Sequence, residues 1–247
     1  MKIVFLGTNG WYDTKTGNTI CILIDSHDGY IILDAGMGIH RLDDYMTVVK
    51  PAYLFLSHYH LDHIAGLHIL GKFRFPEGLT IGVPDGTRNI FEKFVDSPFT
   101  IPLKDLPFNV RITELPGGQN EYPFFVESLP MRHSVTTLGF RFRLNEKIIA
   151  YCPDTGYCDN AVRLAKDADL LITECALKPG ESNESWPHLN PETAARIAHE
   201  SNAKKLALVH FDANTYREFS DRTRAETVAR SIFPDAFAAH DNDIVEL

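Results

Sequence analysis

The chain has 247 residues, 44% of them hydrophobic and 23% charged, with 24 Lys and Arg against 33 Asp and Glu, a formal net charge of -9. This composition excludes a disordered or fibrous chain and suits one large domain with a buried core. The acidic balance excludes generic affinity for DNA or RNA, which depends on neutralising phosphates with basic side chains. It leaves room for a small anionic substrate held by bound cations.

The first part reads as strands joined by polar turns. Residues 2–6 form a strand, followed by a Gly- and Asn-containing loop through Asn18. Residues 19–25 and 30–34 flank the turn Ser26-His27-Asp28-Gly29, a hairpin signal. Residues 53–56 are a short apolar strand of the buried kind, and a helix is expected to follow through Leu70. Residues 79–83 read as a strand, and residues 85–95 as a helix with Pro84 near its start. Pro98, Pro102 and Pro107 mark residues 97–108 as a loop, expected to cross between two halves of the fold.

Strands are expected at 110–114, 124–129, 138–144 and 147–151. Helices at 160–168, 191–201 and 222–232 then alternate with strands at 170–173 and 206–209, and short strands end the chain. Two runs of strands, each followed by strand–helix alternation, predict an α/β protein with two sheets and helices outside both. Residues 1–247 are expected to form a single domain.

Ser57-His58-Tyr59-His60-Leu61-Asp62-His63 concentrates three imidazoles and one carboxylate in the six positions 58–63, directly after a buried strand. A chain leaving a strand can point His58 and His60 toward one metal, and Asp62 and His63 toward another as a helix begins. Imidazole nitrogen and carboxylate oxygen suit zinc, manganese or iron. Six residues cannot close two sites, so later donors are required. His133, Asp154 and His210 each stand where an apolar run stops, the usual place for site residues in a layered α/β protein. Taken singly, each has an ordinary reading as a turn or packing residue; the cluster at 58–63 is what turns them into candidate ligands.

In the order and spacing of these motifs the sequence resembles the metallo-β-lactamase superfamily, and within it the ribonuclease Z-like and phosphodiesterase branch. The resemblance covers nearly the whole chain. It runs from Phe5-Leu6-Gly7-Thr8 through Leu33-Asp34-Ala35-Gly36, the 58–63 cluster, Met131-Arg132-His133-Ser134, Cys152-Pro153-Asp154-Thr155-Gly156 and Thr173-Glu174-Cys175, and on from His188 to His210. It implies a four-layer αββα sandwich with two divalent metals, zinc by default, at one edge of the sheets. It implies that His58, His60 and His133 bind the first metal and Asp62, His63 and His210 the second. Asp154 would bridge them, and a hydroxide between the metals would be the nucleophile.

Asp34 falls on the family's acidic position behind the ligands, where a carboxylate can fix an imidazole tautomer. His188 falls where the branch has a His that contacts the scissile phosphate and can act as general acid, a task suited to a near-neutral pKa. Glu174 is expected to orient His188 or to end its strand, and Asp62 to help orient the nucleophile as well as bind metal. The Trp11-Tyr12-Asp13 loop is expected beside the site.

The sequence departs from ribonuclease Z proper. The long tRNA-gripping arm is missing, because only positions 134–153 separate His133 from Asp154, enough for two strands and a turn. With the acidic charge, this predicts a small phosphodiester rather than tRNA as substrate. Two rival readings stay open: a lactone or thioester hydrolase on the same metal pair, and a non-catalytic nucleotide-binding sensor. The resemblance also leaves room for a homodimer. Cys21, Cys152, Cys158 and Cys175 form no CxxC pair and read as reduced thiols. The N-terminal apolar run is too short for a signal peptide, and no stretch approaches the roughly 18 apolar residues of a membrane span, so the protein is expected in the cytoplasm.

Overall fold

Fully apolar segments become interior strands, and alternating ones become strands with one wet face. The computed structural model describes residues 1–247. In the first half the strands are β1 (Lys2–Gly7), β2 (Asn9–Gly10), β3 (Cys21–Asp25), β4 (Tyr30–Leu33), β5 (Ala52–Phe55), β6 (Leu79–Pro84) and β7 (Val110–Leu115). All but β2 join one sheet, in the order β1-β3-β4-β5-β6-β7. Its helical pieces are short: α1 (Leu42–Tyr45), α2 (Leu61–Ile64) and α3 (Arg88–Phe94).

The second half runs β8 (Gly118–Asn120), β9 (Phe125–Pro130), β10 (Leu138–Leu144), β11 (Lys147–Cys152), α4 (Asp159–Ala165), β12 (Leu170–Glu174), α5 (Pro191–Glu200), β13 (Leu206–Val209), β14 (Phe211–Asp212), α6 (Phe219–Ile232), β15 (Ala236–Ala238) and β16 (Ile244–Glu246). The second sheet has the order β15-β13-β12-β11-β10-β9-β8, and β16 returns to pair with β1 in the first sheet. In β10 the alternation is direct: Phe140, Phe142 and Leu144 are buried, while Arg141 and Arg143 reach outward. Helix α5 starts where its sequence says it should. Asn190 caps it by accepting a hydrogen bond from the Thr193 N–H at 2.8 Å, and Pro191 opens the first turn.

Three apolar cores define the layers. One lies between the sheets and is rich in aromatic rings, with Phe55 packed edge-on against Phe142 at 5.1 Å. A second joins the outer face of the second sheet to α4, α5 and α6, through residues such as Leu164, Ile197 and Ala225. A third joins the outer face of the first sheet to the short helices, through Ile39, Leu67 and Phe91. Helix, sheet, sheet and helix make the four-layer αββα sandwich.

Three expectations need correction. Residues 97–108 do not cross between the halves: β6 and β7 pair in parallel within the same sheet, and the crossing comes after Leu115. The helix expected through Leu70 is α-helical only over Leu61–Ile64, and Ala65–Lys72 continues in tighter 3-10 turns. There Gly66 lies against the Gly36 carbonyl, so a Cβ would sit 2.4 Å from it. Helix α3 begins at Arg88, because Pro84 ends β6 rather than opening the helix. The four cysteines are free thiols. No helix is long and apolar enough to cross a membrane.

Candidate metal centre

All seven candidate ligands converge at one end of the sandwich, at the carboxyl ends of strands. His58 to His63 follow β5, with His60 at the start of α2. His133 follows β9, Asp154 follows β11, and His210 stands between β13 and β14. Each sheet therefore supplies part of the cluster. The two strands and one turn expected between His133 and Asp154 are β10 and β11.

The donor atoms form two groups. His58 Nε2 lies 3.0 Å from His60 Nδ1, which is 3.3 Å from His133 Nε2. His63 Nε2 lies 3.1 Å from His210 Nε2, which is 3.1 Å from Asp62 Oδ2. Asp154 stands between the groups. Its Oδ1 is 3.0 Å from His63 Nε2 and 3.1 Å from His210 Nε2, whereas its Oδ2 is 3.7 Å from His133 Nε2 and 3.9 Å from His58 Nε2.

These atoms fit cations better than they fit one another. Asp154 Oδ1 is buried and makes no hydrogen bond of proper geometry, although two imidazole nitrogens lie close to it. The spacing agrees: ligand bonds of about 2.0 Å to a tetrahedral zinc put neighbouring donors about 3.3 Å apart.

Protonation divides the cluster: burial would lower His63 and His210, but Asp154 above all raises both, so cation binding there would release their protons. Asp62 and Asp154 are both held below the usual carboxylate range. Burial opposes this, but His63 and His210 outweigh it in each case. Burial, reinforced by His63, holds His58 well below the usual imidazole range, and burial lowers His133 to about 4. Ionised carboxylates and neutral imidazoles are the forms that bind cations.

Behind the candidate ligands lies a proton-ordering network. Asp34, at the end of β4, is fully buried and takes the left-handed backbone conformation, with φ of 57°. Its Oδ2 accepts from His63 Nδ1 at 2.8 Å, from Ser57 Oγ at 2.8 Å and from Tyr151 Oη at 2.7 Å. Its Oδ1 accepts from the Ser57 N–H at 2.7 Å. Because Ser57 Oγ gives its proton to Asp34, it is free to accept from His58 Nδ1, 3.0 Å away. One carboxylate thereby turns the lone pairs of His63 and His58 toward the cluster, one directly and one through a hydroxyl.

Glu174, at the end of β12, plays the same part for His188. Its Oε1 accepts from His188 Nδ1 at 2.6 Å and from the Thr155 N–H at 2.6 Å; its Oε2 accepts from the N–H groups of Ala176 and Leu189. Burial alone would lower the His188 pKa, but the Glu174 carboxylate raises it to about 9. Since Nδ1 is engaged, Nε2 is the nitrogen left for the cleft. That cleft, about 780 Å³, is lined by His60, Asp62, His133, Asp154, His188 and His210, with Trp11 and Trp186 among its other residues. A larger cavity of about 980 Å³ beside β7 contains no imidazole or thiol.

Sequence reasoning missed several supporting residues. Ser57 and Tyr151 serve Asp34, and neither has a local signature. Gly10 lies flat against the His210 ring, where a Cβ would come within 2.4 Å of Cε1. The N–H of Trp11, whose φ is 73°, donates to Asp62 Oδ2 at 2.7 Å, so the 11–13 loop does reach the site. The strand pairing of Phe211 with Asn9 and Asp212 with Gly10 holds this loop against His210.

Residues 30–211 match the model of the Beta-lactamase superfamily domain. The chain is 30% identical over 217 residues to the probable metallo-hydrolase YhfI of Bacillus subtilis, with 85% of this chain and 86% of that protein covered. It is 25% identical over 308 residues to ribonuclease Z of Bacillus licheniformis, with 98% and 97% covered. The crystal structure of Bacillus subtilis YhfI superposes with a TM-score of 0.83 at 24% identity, covering 99% of each chain.

Proposed function

This chain belongs to the metallo-β-lactamase superfamily of metal-dependent hydrolases, and on that premise we propose that it hydrolyses a small or cyclic phosphodiester with two divalent cations. The observation that carries the reading is Asp154, whose two oxygens face separate donor groups in the cleft that His188 also enters. A relative named ribonuclease Z, whose name denotes phosphodiester cleavage, supports the substrate class.

In this reading His58, His60 and His133 would hold one cation and Asp62, His63 and His210 the other, with Asp154 within reach of both groups. The imidazole-rich set favours zinc, while manganese or iron would accept the same donors. Two such cations, when bound, supply Lewis acidity and bring the pKa of water at the site toward neutrality. Asp62, fixed by the Trp11 N–H, orients the water that attacks phosphorus. His188 Nε2 donates a hydrogen bond to a phosphoryl oxygen as negative charge builds there, then passes its proton to the leaving oxygen. Glu174 keeps Nδ1 protonated and the ring aimed throughout.

The test is hydrolysis of bis(p-nitrophenyl) phosphate by metal-loaded protein beside a chelator-treated sample. Chelator-sensitive turnover is expected. No turnover with both cations bound would overturn the phosphodiester reading in favour of lactones, thioesters or a binding role.

A further inference from the structure

The chain has two tryptophans, and neither enters a core. Trp11 is 63% exposed and Trp186 is 40% exposed, yet both line the cleft over the candidate metal centre. A large aromatic ring is normally one of the most rewarding groups to bury. A fold that buries Phe55, Phe140 and Phe142 completely but leaves both indoles in water at one cleft has kept them for something that enters it.

Each indole is also held in place. Trp11 takes a left-handed backbone conformation, φ 73°, uncommon for a bulky residue, and its N–H is fixed on Asp62. Its ring leans edge-on against Tyr12 at 5.2 Å. Trp186 sits in the segment between β12 and α5. Its N–H donates to Asn183 Oδ1 at 3.1 Å, the neighbouring Glu184 pairs with Arg132, and its ring leans on His188 with centroids 4.1 Å apart. The Trp11 backbone is therefore anchored to a candidate ligand, and the Trp186 ring rests on the candidate proton donor.

We infer that Trp186 and Trp11 form an aromatic clamp that selects phosphate esters bearing a flat aromatic group of nucleobase size. The inference rests on the phosphodiester reading for the position of the phosphate. The clamp acts on the group the phosphate carries. Stacking on an exposed indole tolerates any base, because every base offers a π face, and its usual strength of about 1–3 kcal/mol corresponds to roughly 5- to 150-fold in affinity.

Two probes that differ only by the base test it: adenosine monophosphate and ribose phosphate, titrated into metal-loaded protein. Binding is read by calorimetry and by intrinsic fluorescence, to which these two indoles are the only tryptophan contributors. The nucleotide is expected to bind at least tenfold tighter than ribose phosphate and to quench the emission. Trp186→Leu should shrink that ratio toward one, and Trp186→Phe should keep most of it, which separates lost stacking from a disturbed fold. Equal binding of the two probes, or an unchanged ratio in Trp186→Leu, would overturn the clamp. A preserved ratio in a protein that turns over no phosphodiester would instead keep the clamp and sink the catalytic reading.

Discussion

Replacing Asp34 by Asn probes how much of the metal centre is set from behind. Asn tolerates the left-handed backbone of this position as Asp does, so φ of 57° is not disturbed. The wild-type carboxylate is an acceptor on both oxygens and receives four donors. Asn must place its NH2 at one of the two oxygen positions. Facing the Ser57 N–H, it sets donor against donor, at a cost of about 1–3 kcal/mol. Facing His63 Nδ1, it forces that nitrogen to accept, which moves the proton to Nε2, the atom aimed at the cluster. The Ser57 hydroxyl then loses its acceptor, and with it the ordering of His58. Both cation positions are therefore touched by one substitution. Loss of such an orienting partner weakens metal binding by roughly 10–100-fold, equivalent to about 1.4–2.8 kcal/mol. Competition for zinc against a chromophoric chelator measures this directly, with thermal unfolding as the control for folding. A folded Asp34→Asn protein that binds both equivalents with wild-type affinity would refute the reasoning.

Three further outcomes are expected. His188→Ala should retain both cations by elemental analysis yet lose on the order of 100-fold or more in turnover, the usual scale of a proton donor; near-normal turnover would remove His188 from the mechanism. In wild type, a proton held up to about 9 is a raised folded-state value, so the His188 contribution is present at neutral pH and lost as pH rises through it. Bound cations oppose that proton and place the alkaline limb of the pH–rate profile at or below this value. Glu174→Gln removes the attraction that offsets burial, so the limb should move to lower pH; an unmoved limb would mean that another group sets it. Gly10→Ala drives a methyl group into the His210 ring, so it should weaken the second cation by about tenfold or more on the same scale as a displaced ligand. Chelator competition that showed two unchanged affinities would contradict this.

The candidate donor set was legible because its residues obey local rules. The 58–63 cluster is contiguous, and His133, Asp154 and His210 each follow an apolar run that could be read as a strand. The sandwich was legible for the same reason, since continuous burial in β5 and alternation in β10 are written in residue types. The supporting network was not. Tyr151 reaches Asp34 from the other sheet, across 117 positions of sequence, and Gly10 meets His210 only after β2 and β14 pair. Such contacts carry no periodicity. The misplaced crossing at 97–108 has a similar origin: proline marks an irregular segment but does not say which sheet the chain rejoins.

The division of donors between the sheets also bears on the order of events as the chain folds. His58 to His63 come from one half, and His133, Asp154 and His210 from the other. His63 and His210, which stand 3.1 Å apart, are 147 residues distant along the chain. Neither half alone carries the full set of donors proposed for either cation, so tight capture would wait until the two sheets have docked. Once captured, a cation ties distant parts of the chain together and favours the docked state by its own binding free energy. Uptake of metal thus reports that assembly has finished, and a chelator added during refolding should leave a docked sandwich that opens more readily than the loaded one.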